Sequence, residues 1–184
     1  MSSGTPAECI DKSLERLKID RIDLYQLHTV DRKVPIEESL GAIKTARDAG
    51  KIRHVGLSNV DVKEIERAQK VVPIVSIQNR YNISDRDSEN VLKYCEQHKM
   101  GFLPWAPVGG SGHSALSKSN RLEEEAKRRN VSAVQLGLAW LLWKSPVILP
   151  IPGTSKVEHL EQNMAAAKIA LTPEEWRAIE KMRA

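Results

Sequence analysis

His28 lies near the carboxyl end of the stretch RIDLYQLHTVD, residues 21–31. The apolar and β-favouring residues of this stretch predict a buried strand. Side chains alternate along a strand, so Gln26 and His28 are expected on one face and Tyr25 on the other. His28 would then lie at the carboxyl end of the strand, which is where α/β barrels carry their chemistry. It is therefore the first candidate for a functional side chain.

A second kind of chemistry is indicated by the run PGTSK at residues 152–156. It sets Gly153, the hydroxyls of Thr154 and Ser155, and the cation Lys156 at the start of a predicted helix. Unpaired backbone N–H groups and the positive end of the helix dipole favour an anion there. The segment therefore predicts an anion-binding site.

The elements that would position these groups alternate between strand and helix. Strands are predicted at residues 21–31, 51–59, 74–78, 101–107 and 146–150, and helices at 5–18, 35–49, 61–71, 87–98, 121–129, 132–143, 154–167 and 172–183. A Gly/Ser-rich loop is predicted at 108–120. Such alternation predicts about five parallel strands covered by outer helices.

Composition excludes several classes of protein. The 184 residues are 41% hydrophobic and 28% charged, which is typical of a globular domain. The formal charge of +4 is spread out, which argues against nucleic-acid binding, and no apolar run approaches the roughly 20 residues of a membrane span. Cys9 and Cys95 lack metal-type spacing, so no metal site is predicted, and reduced thiols in a cytoplasmic protein are expected.

Five motifs, in order along the chain, resemble the carboxyl-terminal part of the aldo-keto reductase family. They are IDLYQLH, GKIRHVGLSN, IVSIQNRYN, GFLPWAP and LPIPGTSKVEHLEQN. The resemblance implies an α/β fold, a partial (β/α)8 TIM barrel, in which residues 1–184 form a single domain truncated at its amino terminus. It also implies an NADP(H)-dependent oxidoreductase that reduces aldehydes or ketones to alcohols by hydride transfer.

The resemblance also assigns roles to individual residues. His28 matches the catalytic histidine that hydrogen-bonds the substrate carbonyl, and Trp105 matches an aromatic that stacks on the nicotinamide ring. The nicotinamide carboxamide would be held by Ser58, Asn59 and Gln78, whose side chains offer both donors and acceptors. Residues matching the segment around the adenosine 2′-phosphate, ribose and adenine are Ile151, Gly153, Thr154, Ser155, Lys156, His159, Gln162 and Asn163. The family often has arginine at the position of His159 and glutamate at that of Gln162.

The family's catalytic aspartate, proton-donating tyrosine and lysine have no counterpart in the chain. They belong to the first three strands of the barrel, and Tyr25 cannot substitute because it is predicted on the face opposite His28. Little or no reductase activity is therefore expected from this chain alone.

An alternative function follows from the same strand count. Five strands cannot close a barrel that needs eight, so two open edges would remain. The alternative is a non-catalytic, NADPH-binding or self-assembling barrel fragment. Its partners would be other copies of the chain, whereas a completed barrel would bind a small carbonyl substrate.

Overall fold

The computed structural model describes residues 5–109 and 120–182, and most of the predicted Gly/Ser-rich loop lies outside them. The chain divides into two compact units. Unit 1 comprises residues 1–78 and 97–100, and unit 2 comprises residues 79–96 and 101–184.

Unit 1 contains three parallel strands, β1 (Ile22–Leu27), β2 (Ile52–Ser58) and β3 (Ile74–Gln78). β2 lies between the other two and pairs with both. The first three predicted strands are therefore confirmed, and β3 has the predicted bounds. β1 is shorter than predicted, so His28 directly follows the last strand residue.

Three helices cover this sheet: α1 (Pro6–Leu17), α2 (Ile36–Asp48) and α3 (Val62–Gln69). α2 packs against α1, β2 and α3. Its apolar residues Ile36, Leu40 and Ile43 recur at helical spacing and are all buried. The outer helices predicted for this part of the chain are therefore confirmed.

The two faces of the unit 1 sheet carry different residues. Leu57 and Ile77 pair across β2 and β3 on one face and are fully buried. On the other face Gly56 lies between Gln26 and Ser76, and a Cβ added at Gly56 would stand 2.4 Å from Ser76 Oγ. A side chain at position 56 would therefore force its neighbours apart, which explains a glycine inside a strand.

Unit 2 is predominantly helical. Its helices are α4 (Glu89–His98), whose last two residues belong to unit 1, α5 (Asn120–Arg128), α6 (Ala133–Lys144), α7 (Val157–Ala165) and α8 (Pro173–Glu180), with a short 3-10 helix at Ala166–Lys168. The predicted strand at 101–107 shortens to β4 (Gly101–Phe102), where Pro104 ends regular pairing. The predicted strand at 146–150 contributes a single parallel bridge, between Ile148 and Phe102.

A buried polar network fixes the core of unit 2. Trp140 is fully buried, and its indole Nε1 donates to Glu180 Oε2 at 2.8 Å. Glu180 also accepts hydrogen bonds from Arg86 Nη1 at 2.8 Å and from Lys144 Nζ at 3.1 Å. Lys144 in turn lies 3.2 Å from Glu89. Two cations therefore face two carboxylates, so the network is electrically balanced.

Two aromatic residues of this region differ in how they pack. Tyr81 is fully buried, stacks on Trp140 and donates its hydroxyl to Glu89. Trp143, in contrast, is 44% exposed and stacks on Trp176. Trp143 lies at the end of α6, where the helix leaves the core.

In the part of the chain that the structure describes, four helices begin with a capping box, in which the N-cap side chain and the third helical residue bond each other's backbone N–H. The pairs are Thr5 with Glu8 in α1, Asp61 with Glu64 in α3, Ser132 with Gln135 in α6, and Thr172 with Glu175 in α8. All are local in sequence, so the start of each of these helices is specified by four consecutive residues.

Within residues 5–109 and 120–182, no helix combines the length and the apolar character that crossing a bilayer requires.

Candidate functional site

Unit 1 brings the predicted polar residues together at the carboxyl ends of its strands. Ser58 ends β2 and pairs with Gln78, which ends β3, while exposed His28 directly follows β1. The Ser58 hydroxyl is fully buried and donates to the Gln78 carbonyl at 2.7 Å. Ser58 therefore joins the ends of two strands.

Asn59 links the same row to the end of β1. Its side-chain Nδ2 donates to the His28 carbonyl at 3.0 Å and to Ser58 Oγ at 3.1 Å. The backbone of Asn59 is left-handed, with φ of 58°, a conformation that asparagine tolerates better than most residues. The three strand ends are therefore held in one hydrogen-bonded row.

Two side chains of this row remain uncommitted. Within the described part of the chain, the His28 imidazole and the Gln78 side-chain amide have no hydrogen-bond partner. Ser58 and Asn59 Nδ2, in contrast, are occupied by protein groups. The geometry therefore offers His28 and Gln78 to a ligand, while Ser58 and Asn59 position them.

A cleft of about 860 Å³ lies beside this row, and we call it the loop cleft. One wall is the β1–α2 loop, residues 29–36, and the other is formed by residues 59–61 with Glu64 and Arg67 of α3. Arg67 makes two hydrogen bonds to Glu37, and these bonds hold the pKa of the Glu37 carboxyl below its ordinary value. Sequence reasoning missed this cleft because its charged residues match no motif.

In unit 2, Trp105 sits at a strained turn. Its backbone N–H donates to the Asn79 carbonyl at 3.0 Å, and the Arg80 guanidinium lies 5.5 Å from its ring centroid. The next residue, Ala106, is left-handed with φ of 48°, and its carbonyl accepts from Asn82 Nδ2 at 3.0 Å. Such strain in a residue with a Cβ often marks a functional site. The residue types of Ala106 and Arg80 alone did not predict that these residues belong to the turn around Trp105.

The predicted anion segment is exposed but lies before its helix. α7 begins at Val157 rather than at residue 154, with Lys156 as N-cap. The reason is local: Thr154 Oγ1 accepts from the Lys156 N–H at 3.1 Å, so these residues form a turn. Gly153, Thr154, Ser155 and Lys156 are all exposed, and Ile151 is 39% exposed.

One atom of α7 stands out. Asn163 is 9% exposed, and its Oδ1 is buried without a hydrogen-bond partner. Gln162 donates to Glu158 one turn earlier at 3.5 Å, and His159 is half-buried. A buried carbonyl oxygen without a donor is costly, so Asn163 Oδ1 is a candidate acceptor for a hydrogen bond from a bound group.

Across the described residues, no three histidine, cysteine, aspartate or glutamate side chains converge closely enough to bind a metal ion.

Comparison with known proteins assigns a family. The sequence profile described as "Aldo/keto reductase family" matches residues 1–184. An uncharacterized oxidoreductase of Schizosaccharomyces pombe is 44% identical over 170 residues, which is 92% of this chain and 55% of the relative.

Solved structures that resemble this chain belong to the same family. The thermostable aldo-keto reductase Tm1743, solved with the inhibitor epalrestat, is 36% identical with a TM-score of 0.86, covering 95% of this chain and 65% of its own. An aldo-keto reductase of Klebsiella pneumoniae in complex with NADPH is 29% identical with a TM-score of 0.84, covering 95% and 63%. The chain therefore spans between half and two thirds of the proteins it matches, and the predicted partial (β/α)8 barrel is confirmed.

Proposed function

Because this chain belongs to the aldo/keto reductase family, we propose that it forms the carboxyl-terminal, cofactor-binding part of an NADPH-dependent reductase of aldehydes or ketones. The bound cofactor would supply the hydride that converts the carbonyl to an alcohol. The chain's own residues bind that cofactor and orient the substrate. A cytoplasmic location stays a prediction.

The observation that carries the proposal is the unpartnered Oδ1 of Asn163. The family resemblance puts Asn163 beside the adenine, whose exocyclic amine is the kind of donor that this buried oxygen lacks. Lys156, exposed at the N-cap of α7, would pair with the 2′-phosphate that distinguishes NADPH from NADH. The K. pneumoniae structure with NADPH supports this choice of cofactor.

In unit 1, one set of side chains would contact the ligands, and another would hold the strand ends in position. The free Gln78 amide can both donate to and accept from the nicotinamide carboxamide. Ser58 and Asn59, matched by resemblance to the same task, hold the end of β3 and the carbonyl of His28. His28, exposed and uncommitted, would donate a hydrogen bond to the substrate carbonyl oxygen.

Neither Tyr25 nor Tyr81 fits the role of proton donor. Burial, and then the neighbouring Cys9, raise the pKa of Tyr25 above its ordinary value. Burial also raises the pKa of Tyr81, whose hydroxyl is bonded to Glu89. In the proposed enzyme the proton would come from a tyrosine other than Tyr25 and Tyr81, as the family resemblance implies.

Cofactor binding tests the proposal directly. Titration of the 184-residue chain with NADPH and NADH, followed by calorimetry, should show tighter binding of NADPH. Lys156→Ala should weaken NADPH binding roughly five- to tenfold and leave NADH binding nearly unchanged, because only NADPH carries the 2′-phosphate. Lys168→Ala removes an equally exposed cation of unit 2 and serves as the control. Absence of NADPH binding would refute the proposal for this chain.

Catalysis requires a second assay. NADPH oxidation with a reactive aldehyde should stay at background for the 184 residues alone. In a longer form that supplies the tyrosine, the rate should rise and should fall in His28→Ala. A longer form with no rate above background would refute reductase function while leaving cofactor binding open.

A second candidate function is self-assembly, and the position of β1 favours it. β1 lies at an end of the sheet and pairs with β2 alone among the described strands, and Leu24 within it is 38% exposed. Unpaired strand edges invite pairing with another chain. Light scattering should then give a mass of at least twice 20.6 kDa, and a monomer at high concentration would contradict this candidate.

A further inference from the structure

The loop cleft of unit 1 carries two cations that the rest of the protein does not use. Asp31 accepts a hydrogen bond from the Val34 N–H at its carbonyl and one from the Lys33 N–H at its carboxylate. These bonds close a turn with Arg32 and Lys33 at its centre. Both side chains are exposed, and neither has a hydrogen-bond or ion-pair partner in the described part of the chain.

The other charged residues of the loop cleft are already committed. Asp61 and Glu64 bond each other's backbone N–H in the capping box of α3. Arg67 is held by both carboxylate oxygens of Glu37. Arg32 and Lys33 are therefore the cations of the cleft that a ligand can reach without displacing a protein partner, although the carboxylates of Asp31, Asp61 and Glu64 also line it.

The cleft is joined to the strand ends that carry the proposed chemistry. Thr29, which lines it, follows His28 directly, and Asn59, which also lines it, donates to the His28 carbonyl. Arg32 lies four positions after His28, so their Cα atoms are at most about 14 Å apart. A small substrate can therefore span from the His28 imidazole to the turn.

We propose that Arg32 and Lys33 select substrates that carry an anionic group, a carboxylate or a phosphate, a few atoms from the carbonyl. A guanidinium binds either anion through two parallel hydrogen bonds, and an adjacent ammonium adds a point charge. This inference rests on the proposed reductase function, because that function defines the carbonyl end of the ligand. It concerns a different part of the ligand from the cofactor contacts of Asn163 and Lys156.

The test uses alcohols, the products of the proposed reaction, since they cannot form an imine with Lys33. The intact chain is titrated with 4-(hydroxymethyl)benzoate, its neutral methyl ester and 4-(hydroxymethyl)phenyl phosphate, and backbone amide shifts are followed by NMR. At least one anion should bind about tenfold more tightly than the ester and shift the amides of residues 29–36. The stronger of the two anions identifies the group selected.

Two double variants test whether the cations of the turn, rather than the net charge of the chain, cause the preference for anions. Arg32→Ala combined with Lys33→Ala should bring the ratio of anion to ester affinity close to one. Lys12→Ala combined with Arg16→Ala removes the same net charge from exposed positions of α1 and should leave that ratio unchanged. Equal binding of ester and anions by the unmodified chain, or an unchanged ratio in the Arg32 and Lys33 variant, would overturn the inference.

The outcomes distinguish this inference from the proposed function. Selective anion binding without NADPH binding would refute the proposed cofactor and retain the anion selectivity of the turn. NADPH binding without anion selectivity would refute the role of Arg32 and Lys33 alone. In an active longer form, the double variant should raise KM for 4-carboxybenzaldehyde about tenfold with little change in kcat, because the anion is bound equally in the ground and transition states.

Discussion

Replacing Glu180 with glutamine should remove the anion at the centre of the unit 2 network. The Arg86 and Lys144 side chains that it neutralises are only 11% and 14% exposed, so water cannot replace it. Removing one partner of a fully buried ion pair costs about 3–5 kcal/mol. Glu180 is itself 22% exposed and Lys144 keeps Glu89, so we expect a loss of about 2–3 kcal/mol in the free energy of unfolding. Glutamine preserves the shape and can still accept from Trp140.

A matched control lies on the same helix. Glu174→Gln makes the same change in charge, but Glu174 and its partner Arg177 are 75% and 60% exposed. Exposed ion pairs contribute roughly 0.2–1 kcal/mol, so the control should lose little stability. Urea unfolding followed by tryptophan fluorescence and by far-ultraviolet circular dichroism measures both variants. The reasoning is refuted if Glu180→Gln costs no more than Glu174→Gln at equal m-values.

Three further changes test other parts of the structure. Gly56→Ala should destabilise the chain by about 1–3 kcal/mol, because its Cβ would lie 2.4 Å from Ser76 Oγ, and adding Ser76→Gly should recover part of the loss in chemical unfolding. Burial raises the pKa of the Cys95 thiol to about 12, so Cys95 should resist iodoacetamide at pH 8, measured by mass spectrometry. Burial opposes ionisation of Glu89, but the hydrogen bond from Tyr81 helps to hold its pKa below the ordinary value. Its stabilisation is therefore present above about pH 4.5 and is lost as the pH falls through the lowered pKa, so Glu89→Gln should flatten the acid dependence of stability.

Each of these expectations has a control. Gly41→Ala places a methyl group where no atom lies within 4 Å and should not destabilise α2. Cys9, which is less buried than Cys95, should be alkylated in the native chain, and both should react in urea. Glu96→Gln removes another carboxylate of α4, one without a hydrogen bond or ion pair among the described residues, and serves as the control for the loss of a charge. Rapid labelling of Cys95 would contradict its burial, and an unaltered acid profile for Glu89→Gln would contradict the role of the hydrogen bond from Tyr81 in lowering the pKa of Glu89.

Sequence periodicity predicted those parts of the fold that depend on neighbouring residues. β3 was predicted with its observed bounds because Pro73 blocks the preceding helix and four apolar or small residues follow before Gln78. The predicted start of α7 at residue 154 was wrong. The Thr154 hydroxyl accepts a hydrogen bond from the Lys156 N–H, so these residues form a turn instead of the first turn of the helix. Helical spacing alone does not distinguish buried Trp140 from exposed Trp143, because the difference depends on how distant helices pack.

The candidate site also combines features that the sequence predicts with features that required coordinates. Strand alternation predicts that Tyr25 and His28 face apart, and in the structure Tyr25 is half-buried while His28 is exposed. The motif order predicts Asn163 as an adenine contact, whereas its unpartnered oxygen depends on the packing around α7. The roles of Ser58 and Asn59 as ties between strand ends also required coordinates, because both act through backbone carbonyls far along the chain.

The four capping boxes have a consequence for how the chain folds during synthesis. Each is complete within four residues, so a helix start can form as soon as those residues leave the ribosome. A helix of this length forms within about a microsecond, whereas the ribosome adds roughly 5–20 residues per second. α1 can therefore nucleate before any strand of the unit 1 sheet exists, and α3 can nucleate before β3, the second partner of β2, exists. We expect sheet pairing, rather than helix formation, to set the pace at which unit 1 assembles.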